Sequence, residues 1–149
     1  MPNPDVPVKQ LVRMAEARKR VIIESPWSGN ESVNKAFGRA CLRDSLGRGE
    51  APLAGHLLYT QVLLDIKPTE RRMGMLSGFA WYEEAETVVV YCDRGISEGM
   101  LQGIAVATYY GVPVLYRRLA DGAESSNPLL PLPVPGPEQK SDEKRPGDA

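Results

Sequence analysis

Three short runs of β-branched and other apolar residues stand out along the chain, and each adjoins a turn signal. They are Val21–Glu24, Thr87–Cys92 and Val112–Tyr116. Because the apolar residues run almost continuously instead of alternating with polar ones, these runs are typical of strands buried on both faces of a parallel sheet. Pro113 favours an edge position for the third run. A fourth strand is expected within Ala51–Leu58.

Stretches with apolar residues at helical spacing separate these strands. They are Glu31–Arg48, Thr69–Ala85 and Ser97–Tyr110, and a shorter one covers Val8–Arg20. Strands that alternate with helices predict an α/β fold, in which a parallel sheet with right-handed crossovers carries helices on both faces. Ligands of such sheets bind beyond the carboxyl ends of the strands. Three loops are thereby indicated: Ser25–Asn30, His56–Gln61 and Asp93–Gly99.

The distribution of proline divides the chain into three parts. Residues 1–20 are expected to form an N-terminal arm or short helix, and residues 21–119 a single α/β domain. Six of the 13 prolines follow Ala120, so residues 120–149 are expected to be an extended, disordered tail. A proline-rich ligand for another protein is the alternative interpretation of this tail.

Composition and charge exclude several classes of function. The chain has 149 residues, a net charge of −1 and two cysteines, which disfavours nucleic-acid binding and a disulfide framework. Without a long apolar stretch we expect no membrane association and a cytoplasmic location. A single histidine and dispersed carboxylates predict no metal and no cofactor. Dinucleotide, P-loop and serine-hydrolase motifs are absent from the sequence.

The loop that follows Cys92 has the features of an anion site. Gly95 permits a turn with positive φ, Ser97 is a natural N-cap, and Gly99 allows a ligand to approach the first helical turn that includes Met100. Free N–H groups and the helix dipole favour a phosphate or carboxylate there. An ordinary strand–turn–helix connection is the alternative.

The other two loops offer aromatic and small polar side chains. The first contains Ser25, Trp27, Ser28, Gly29 and Asn30. Its indole could stack on a ring, whereas Asn30 could simply cap the following helix. The second contains His56 and Tyr59, and a structural role for the histidine remains open beside ligand binding.

These loops together resemble the nucleoside 2-deoxyribosyltransferase-like superfamily, which includes deoxynucleoside 5′-monophosphate N-glycosidases. The motif Asp-x-Gly-x-Ser-x-Gly-Met, at 93–100, carries much of the resemblance, and an uncharacterised phage and bacterial branch is closest. The resemblance implies a flavodoxin- or Rossmann-like domain, usually a homo-oligomer, that binds a nucleoside or nucleotide. It also implies that the first loop contacts the base, and that Ser97 and Gly99 contact sugar or phosphate.

The sequence departs from the superfamily at its catalytic glutamate. That position falls at Gly99 or Gly103, according to the alignment, and glycine has no side chain to attack the anomeric carbon. Asp93 and Glu98 are the first candidates for a substitute carboxylate. Two further carboxylates, Glu24 and Glu70, are also available.

Two functions follow from this departure. The first is a protein that binds or sequesters a nucleotide-derived ligand without the superfamily's covalent chemistry. The second is an active N-glycosidase or deoxyribosyltransferase that uses a relocated carboxylate. Four aromatic residues on two predicted helices suggest self-association: Trp81, Tyr82, Tyr109 and Tyr110.

Overall fold

The computed structural model describes residues 5–128. Within them, five helices and five strands are assigned. The helices are α1 (Val8–Glu16), α2 (Glu31–Gly47), α3 (Gly55–Leu58), α4 (Pro68–Phe79) and α5 (Glu98–Tyr109). The strands are β1 (Lys19–Glu24), β2 (Glu50–Leu53), β3 (Thr87–Tyr91), β4 (Val114–Arg117) and β5 (Glu124–Ser125). Short 3-10 turns follow α3 and α4.

The strands form one mostly parallel sheet with the order β2-β1-β3-β4-β5. The first four strands are parallel, and only β5 runs antiparallel to its neighbour β4. The order places β1 and β3 in the centre, and every residue of β3 is buried. This architecture confirms the predicted α/β fold.

Alternate residues of the central strands pack into two separate cores, because successive side chains in a strand point to opposite faces. On one face, Ile22, Val88 and Val90 pack with Met100 and Ala107 of α5. The opposite face belongs to α2, where the buried Cys41 packs with side chains of β1 and β3, namely Val21, Ile23, Val89 and Tyr91. Helices therefore cover both faces of the sheet, as the continuous apolar runs predicted.

The structure corrects several predicted boundaries. β1 begins at Lys19, two residues before the apolar run, because its first two residues pair with the start of β2. The predicted edge position of the last apolar run is wrong: β4 lies between β3 and β5. Pro113 precedes the strand, and its carbonyl accepts a hydrogen bond from Val88. Pro113 therefore takes part in the sheet through its carbonyl group, and its missing N–H is not required.

Two more predictions on helices and tail need revision. The helix predicted over 69–85 ends at Phe79, and residues 82–84 form a separate 3-10 turn. Part of the predicted extended tail is ordered, since β5 adds to the sheet by pairing with β4. The rest of that prediction concerns residues 129–149, which lie outside the described residues.

A buried ionic network ties the α2 face of the sheet together. Arg117 is 2% exposed and donates to both carboxylate oxygens of Glu50, at 2.8 and 3.0 Å. It also donates to Glu124 at 2.7 Å and to the hydroxyl of Tyr91 at 3.0 Å. Although burial opposes it, the hydrogen bond from Arg117 lowers the pKa of Glu50.

Candidate functional site

A cavity lies where the carboxyl ends of β1 and β2 meet α3, α4 and the start of α5. Its volume is about 130 Å³. Apolar side chains from the sheet and α4 form much of its wall, among them Ile22, Leu53, Met75 and Phe79. The position agrees with the rule that parallel sheets bind ligands beyond the carboxyl ends of their strands.

Eight of the predicted ligand-binding residues line this cavity. They come from all three indicated loops and are Ser25, Trp27, Ser28, His56, Tyr59, Ser97, Gly99 and Met100. The loops are distant in sequence and meet only because β1, β2 and β3 end at the same edge of the sheet. The sequence thus predicted eight of the residues that line one cavity.

Five other predicted residues are not among those that line it. Gly29 and Gly95 have positive φ and shape turns. The side chain of Asn30 caps α2 by accepting from the backbone N–H of Val33 at 3.3 Å. The two remaining residues, Asp93 and Glu98, are the carboxylates predicted as catalytic.

The structure gives Asp93 a different role. Its carboxylate accepts from the backbone N–H groups of Leu119 and Ala120, at 2.7 and 3.0 Å. It therefore fixes the turn after β4. Glu98 is exposed in the first turn of α5. Neither carboxylate reaches the lining of the cavity.

The start of α5 is capped as predicted. The hydroxyl of Ser97 accepts from the backbone N–H of Met100 at 3.3 Å. Gly99 faces open space, since a methyl group built on it would meet no atom within 4 Å. The first turn of α5 is therefore accessible at Gly99, although the Ser97 side chain already has a partner in the helix.

The one deeply buried carboxyl group of the cavity lining belongs to Glu24, the last residue of β1. Its side chain accepts a hydrogen bond from the hydroxyl of Tyr82, and the residue is 7% exposed. Burial raises the pKa of Glu24 from 4.5 to about 8. At neutral pH this group is therefore mainly an uncharged carboxylic acid.

Gly103 in α5 makes room for that carboxyl group. A methyl group built on it would overlap the Glu24 carboxyl and come within 2.8 Å of the Tyr82 hydroxyl. Glu24 thus occupies space that any side chain at position 103 would need. The carboxyl group in this part of the cavity therefore comes from β1 and not from α5.

Ser25 and His56 form a second polar pair in the cavity. The Oγ atom of Ser25 lies 2.6 Å from Nε2 of His56. Burial lowers the pKa of His56 to about 4, so the imidazole is neutral at neutral pH. The cavity lining consequently includes an uncharged acid, Glu24, and an uncharged base, His56, whose partner Ser25 follows Glu24 directly in the chain.

Charged side chains lie at the other end of the cavity, on and before α4. Arg71 is an arginine of the lining and donates to Asp65 at 3.1 Å. Glu70 pairs with Lys67 at 3.5 Å. Three other arginines of α2 and α4 are not among the lining residues: Arg39, Arg43 and Arg72.

Sequence reasoning missed the role of Tyr82. The residue was assigned to an exposed aromatic surface, but it is 5% exposed and its ring packs edge-on against Phe79. The helix predicted to contain Tyr82 ends at Phe79, and the 3-10 turn at residues 82–84 directs the Tyr82 side chain inward. The exposed members of the predicted surface are Trp81, Tyr109 and Tyr110, at 51, 84 and 43%.

Among residues 5–128 no group of three or more metal-ligating side chains is present. Nor does this part of the chain contain a helix of the length and apolarity that a bilayer crossing requires.

The protein is thus an α/β protein with a cavity at the carboxyl edge of a mostly parallel sheet. Residues 19–117 match the model of a domain of unknown function, DUF7768. Because this match covers most of the chain, the protein belongs to the DUF7768 family. No curated protein sequence matches it significantly.

Proposed function

We propose that the protein binds a nucleoside or nucleotide in the cavity beyond β1, β2 and β3, without the covalent chemistry of the nucleoside 2-deoxyribosyltransferase-like superfamily. The observation that carries this proposal is the convergence of eight predicted contact residues on one cavity. Trp27 and Tyr59 supply aromatic surface for a base, and the open turn at Gly99 accepts a sugar or phosphate.

The charges of the cavity suggest how such a ligand would lie. The inner end holds Glu24 and His56, both mainly uncharged at neutral pH. An uncharged base is better suited to this end than a phosphate, because burying an unpaired charge is costly. The phosphate would lie toward Gly99 and Arg71.

The absence of a nucleophile on α5 supports binding over glycosyl transfer. Gly99 and Gly103 both lack the side chain that would attack the anomeric carbon. Loss of a covalent nucleophile commonly reduces a rate by several orders of magnitude. A ligand held in this cavity would therefore be released unchanged.

Isothermal titration calorimetry against a panel of nucleobases, nucleosides and nucleotides, including cyclic nucleotides and ADP-ribose, tests the proposal. We expect saturable binding of at least one compound. The affinity of the Trp27→Ala variant for this compound should be at least tenfold lower. Tyr109→Ala is the matched control, since this aromatic side chain is 84% exposed and outside the cavity. If no compound binds at millimolar concentration, the proposal is wrong.

One observation favours a second candidate function, an N-glycosidase with a relocated carboxylate. The carboxyl group of Glu24 occupies the space that Gly103 leaves free. As an acid at neutral pH, Glu24 could protonate a leaving base. Chromatography of deoxynucleotides incubated with the protein tests this candidate: free base should appear, and Glu24→Gln should abolish it. Glu98→Gln, outside the cavity, should retain the activity, and no base release from any substrate would exclude this function.

We also propose that the protein self-associates through exposed side chains near the ends of α4 and α5, chiefly Leu76, Tyr109 and Tyr110, which line one shallow depression. Contiguous exposed apolar surface of this kind commonly marks an interface. Sedimentation should show a dimer or larger species that Tyr109→Glu converts to a monomer. If the wild-type protein stayed monomeric over a 100-fold range of protein concentration, this proposal would be wrong.

A further inference from the structure

We propose that Ser25 is an activated nucleophile with His56 as its base, and that it takes the acyl group of a small, uncharged carboxylic ester bound in the cavity and hydrolyses it. This activity goes beyond the proposed function and does not depend on nucleotide binding. It is carried by the Ser25–His56 pair, a contact that neither the predicted loops nor the resemblance assigns.

The geometry is that of a nucleophile and its general base. Oγ of Ser25 and Nε2 of His56 are 2.6 Å apart, within the range over which a hydroxyl proton passes to an imidazole. Both residues belong to the lining of the cavity. The pair is therefore placed where a reacting carbonyl could lie.

Neighbouring elements hold both members of the pair in place. Gly38 brings α2 close to Ser25, since a methyl group built on it would lie 3.2 Å from the serine oxygen and 3.1 Å from Leu57. The hydroxyl of Thr60 donates to the carbonyl of His56 at 2.6 Å and fixes the short helix α3. The first contact limits the rotamers of Ser25, and the second fixes the backbone that carries His56.

The imidazole is in the protonation state that a base requires. Burial keeps His56 neutral at neutral pH, and its Nε2 can accept a proton when Nδ1 carries the ring hydrogen. Among the described residues, no hydrogen bond to the His56 ring other than that of Ser25 is recorded. Without a carboxylate to orient the ring and stabilise the imidazolium, we expect slow turnover.

A donor for the developing oxyanion is available in the same cavity. The indole Nε1 of Trp27 is buried and lacks a hydrogen-bond partner within the described part of the chain. Buried donors are normally paired, so an unpaired one in a residue that lines the same cavity as Ser25 is suited to a ligand oxygen. Trp27 also lies only two residues after Ser25.

The reaction follows from these groups. Ser25 Oγ attacks the ester carbonyl carbon and passes its proton to His56 Nε2. The tetrahedral intermediate then collapses, the carbon–oxygen bond to the alcohol breaks, and His56 returns the proton to the departing alkoxide. Water attacks the resulting acyl-Ser25 with His56 again as base. The carboxylic acid leaves and the serine hydroxyl is restored.

A fluorophosphonate probe, which phosphonylates activated serines, tests the proposal on the full-length protein. Trypsin should release residues 21–35 as one peptide, which contains Ser25, Ser28 and Ser32. Tandem mass spectrometry of this peptide compares the three hydroxyls directly. We expect modification of Ser25 at least tenfold above either of the others, and a burst of p-nitrophenol from p-nitrophenyl acetate equal to one per chain.

Variants separate activation from mere exposure. His56→Asn should reduce labelling of Ser25 at least tenfold and Ser25→Ala should abolish the burst, whereas Ser32→Ala, at an exposed position of α2, should leave both unchanged. If His56→Asn fails to fold, the distribution of label within the wild-type peptide decides. Equal labelling of the three serines, or none at Ser25, would overturn the proposal.

Discussion

Replacing Glu24 by glutamine should stabilise the protein, and increasingly so as the pH rises. The side chain of Glu24 is 7% exposed and accepts from the Tyr82 hydroxyl. Glutamine has the same shape, keeps an oxygen that can accept this hydrogen bond, and carries no charge at any pH. The substitution thus removes the pH-dependent cost of ionising a buried carboxyl group.

The size of the effect follows from the two pKa values. Below pH 4.5 the carboxyl group is protonated in the folded and the unfolded chain, so its protonation adds no difference in stability. Between pH 4.5 and about 8 the unfolded chain loses this proton while the folded chain keeps it, and stability decreases with pH. One pH unit corresponds to about 1.4 kcal/mol. The full interval therefore amounts to at most about 5 kcal/mol, and the part below pH 7 to about 3 kcal/mol.

Urea denaturation of wild-type protein and Glu24→Gln at pH 5, 6, 7 and 8 measures this difference. The free energies of unfolding should be close at pH 5 and diverge steadily in favour of the variant up to pH 8. Comparing the two proteins at each pH cancels the titration of all other groups. The control is Glu83→Gln, an exposed position next to Tyr82, whose difference from wild type should not vary over this range. A constant difference for Glu24→Gln would refute the burial of a protonated carboxyl group.

Three further predictions concern other parts of the molecule. Gly103→Ala should lower the free energy of unfolding by about 1–3 kcal/mol, because the new methyl group displaces the buried carboxyl group. Gly99→Ala in the same helix should be neutral or stabilising by about 0.5 kcal/mol. Thermal denaturation compares the two variants, and equal effects would contradict this prediction. His56 is the single histidine, so NMR spectra can follow its imidazole signal alone. This signal should stay at the position of the neutral ring down to about pH 5, and a titration midpoint near 6.5 would show that the ring is solvated. Arg117→Ala should cost about 3–5 kcal/mol, because it removes a buried guanidinium and leaves the partly buried carboxylate of Glu50 unpaired. Exposed Arg43→Ala should cost less than about 0.5 kcal/mol, and urea denaturation distinguishes these outcomes.

Much of the fold could be predicted because its strands are marked locally. The run at 87–92 is apolar throughout and becomes the fully buried β3. The last strand was misplaced at the edge because Pro113 was treated as part of it. The residue lies one position before β4, where its missing N–H costs nothing. Local sequence identified the strand but not its neighbour β5, which is only two residues long.

The candidate site could be predicted in its loops but not in its contacts. Turn residues at strand ends are visible in the sequence, and three such loops meet in the cavity. The partners of the reactive groups are not visible in this way. Ser25 and His56 are 31 positions apart, and Glu24 meets Tyr82 across 58 positions. Only the folded structure shows which of these distant positions lie in contact.

The end of β1 explains why the cavity contains two chemically different pairs. Glu24 and Ser25 are consecutive, so their side chains point to opposite faces of the sheet. Glu24 lies on the α5 face with Tyr82 and Gly103, and Ser25 on the α2 face with Gly38 and His56. The same strand end therefore presents an acid on one side and a hydroxyl with its base on the other. Because the two pairs share no residue, Glu24→Gln should leave the labelling of Ser25 intact, and Ser25→Ala should leave the pH dependence of stability that arises from Glu24. If either substitution abolished both properties, the cavity would have to act as one coupled site.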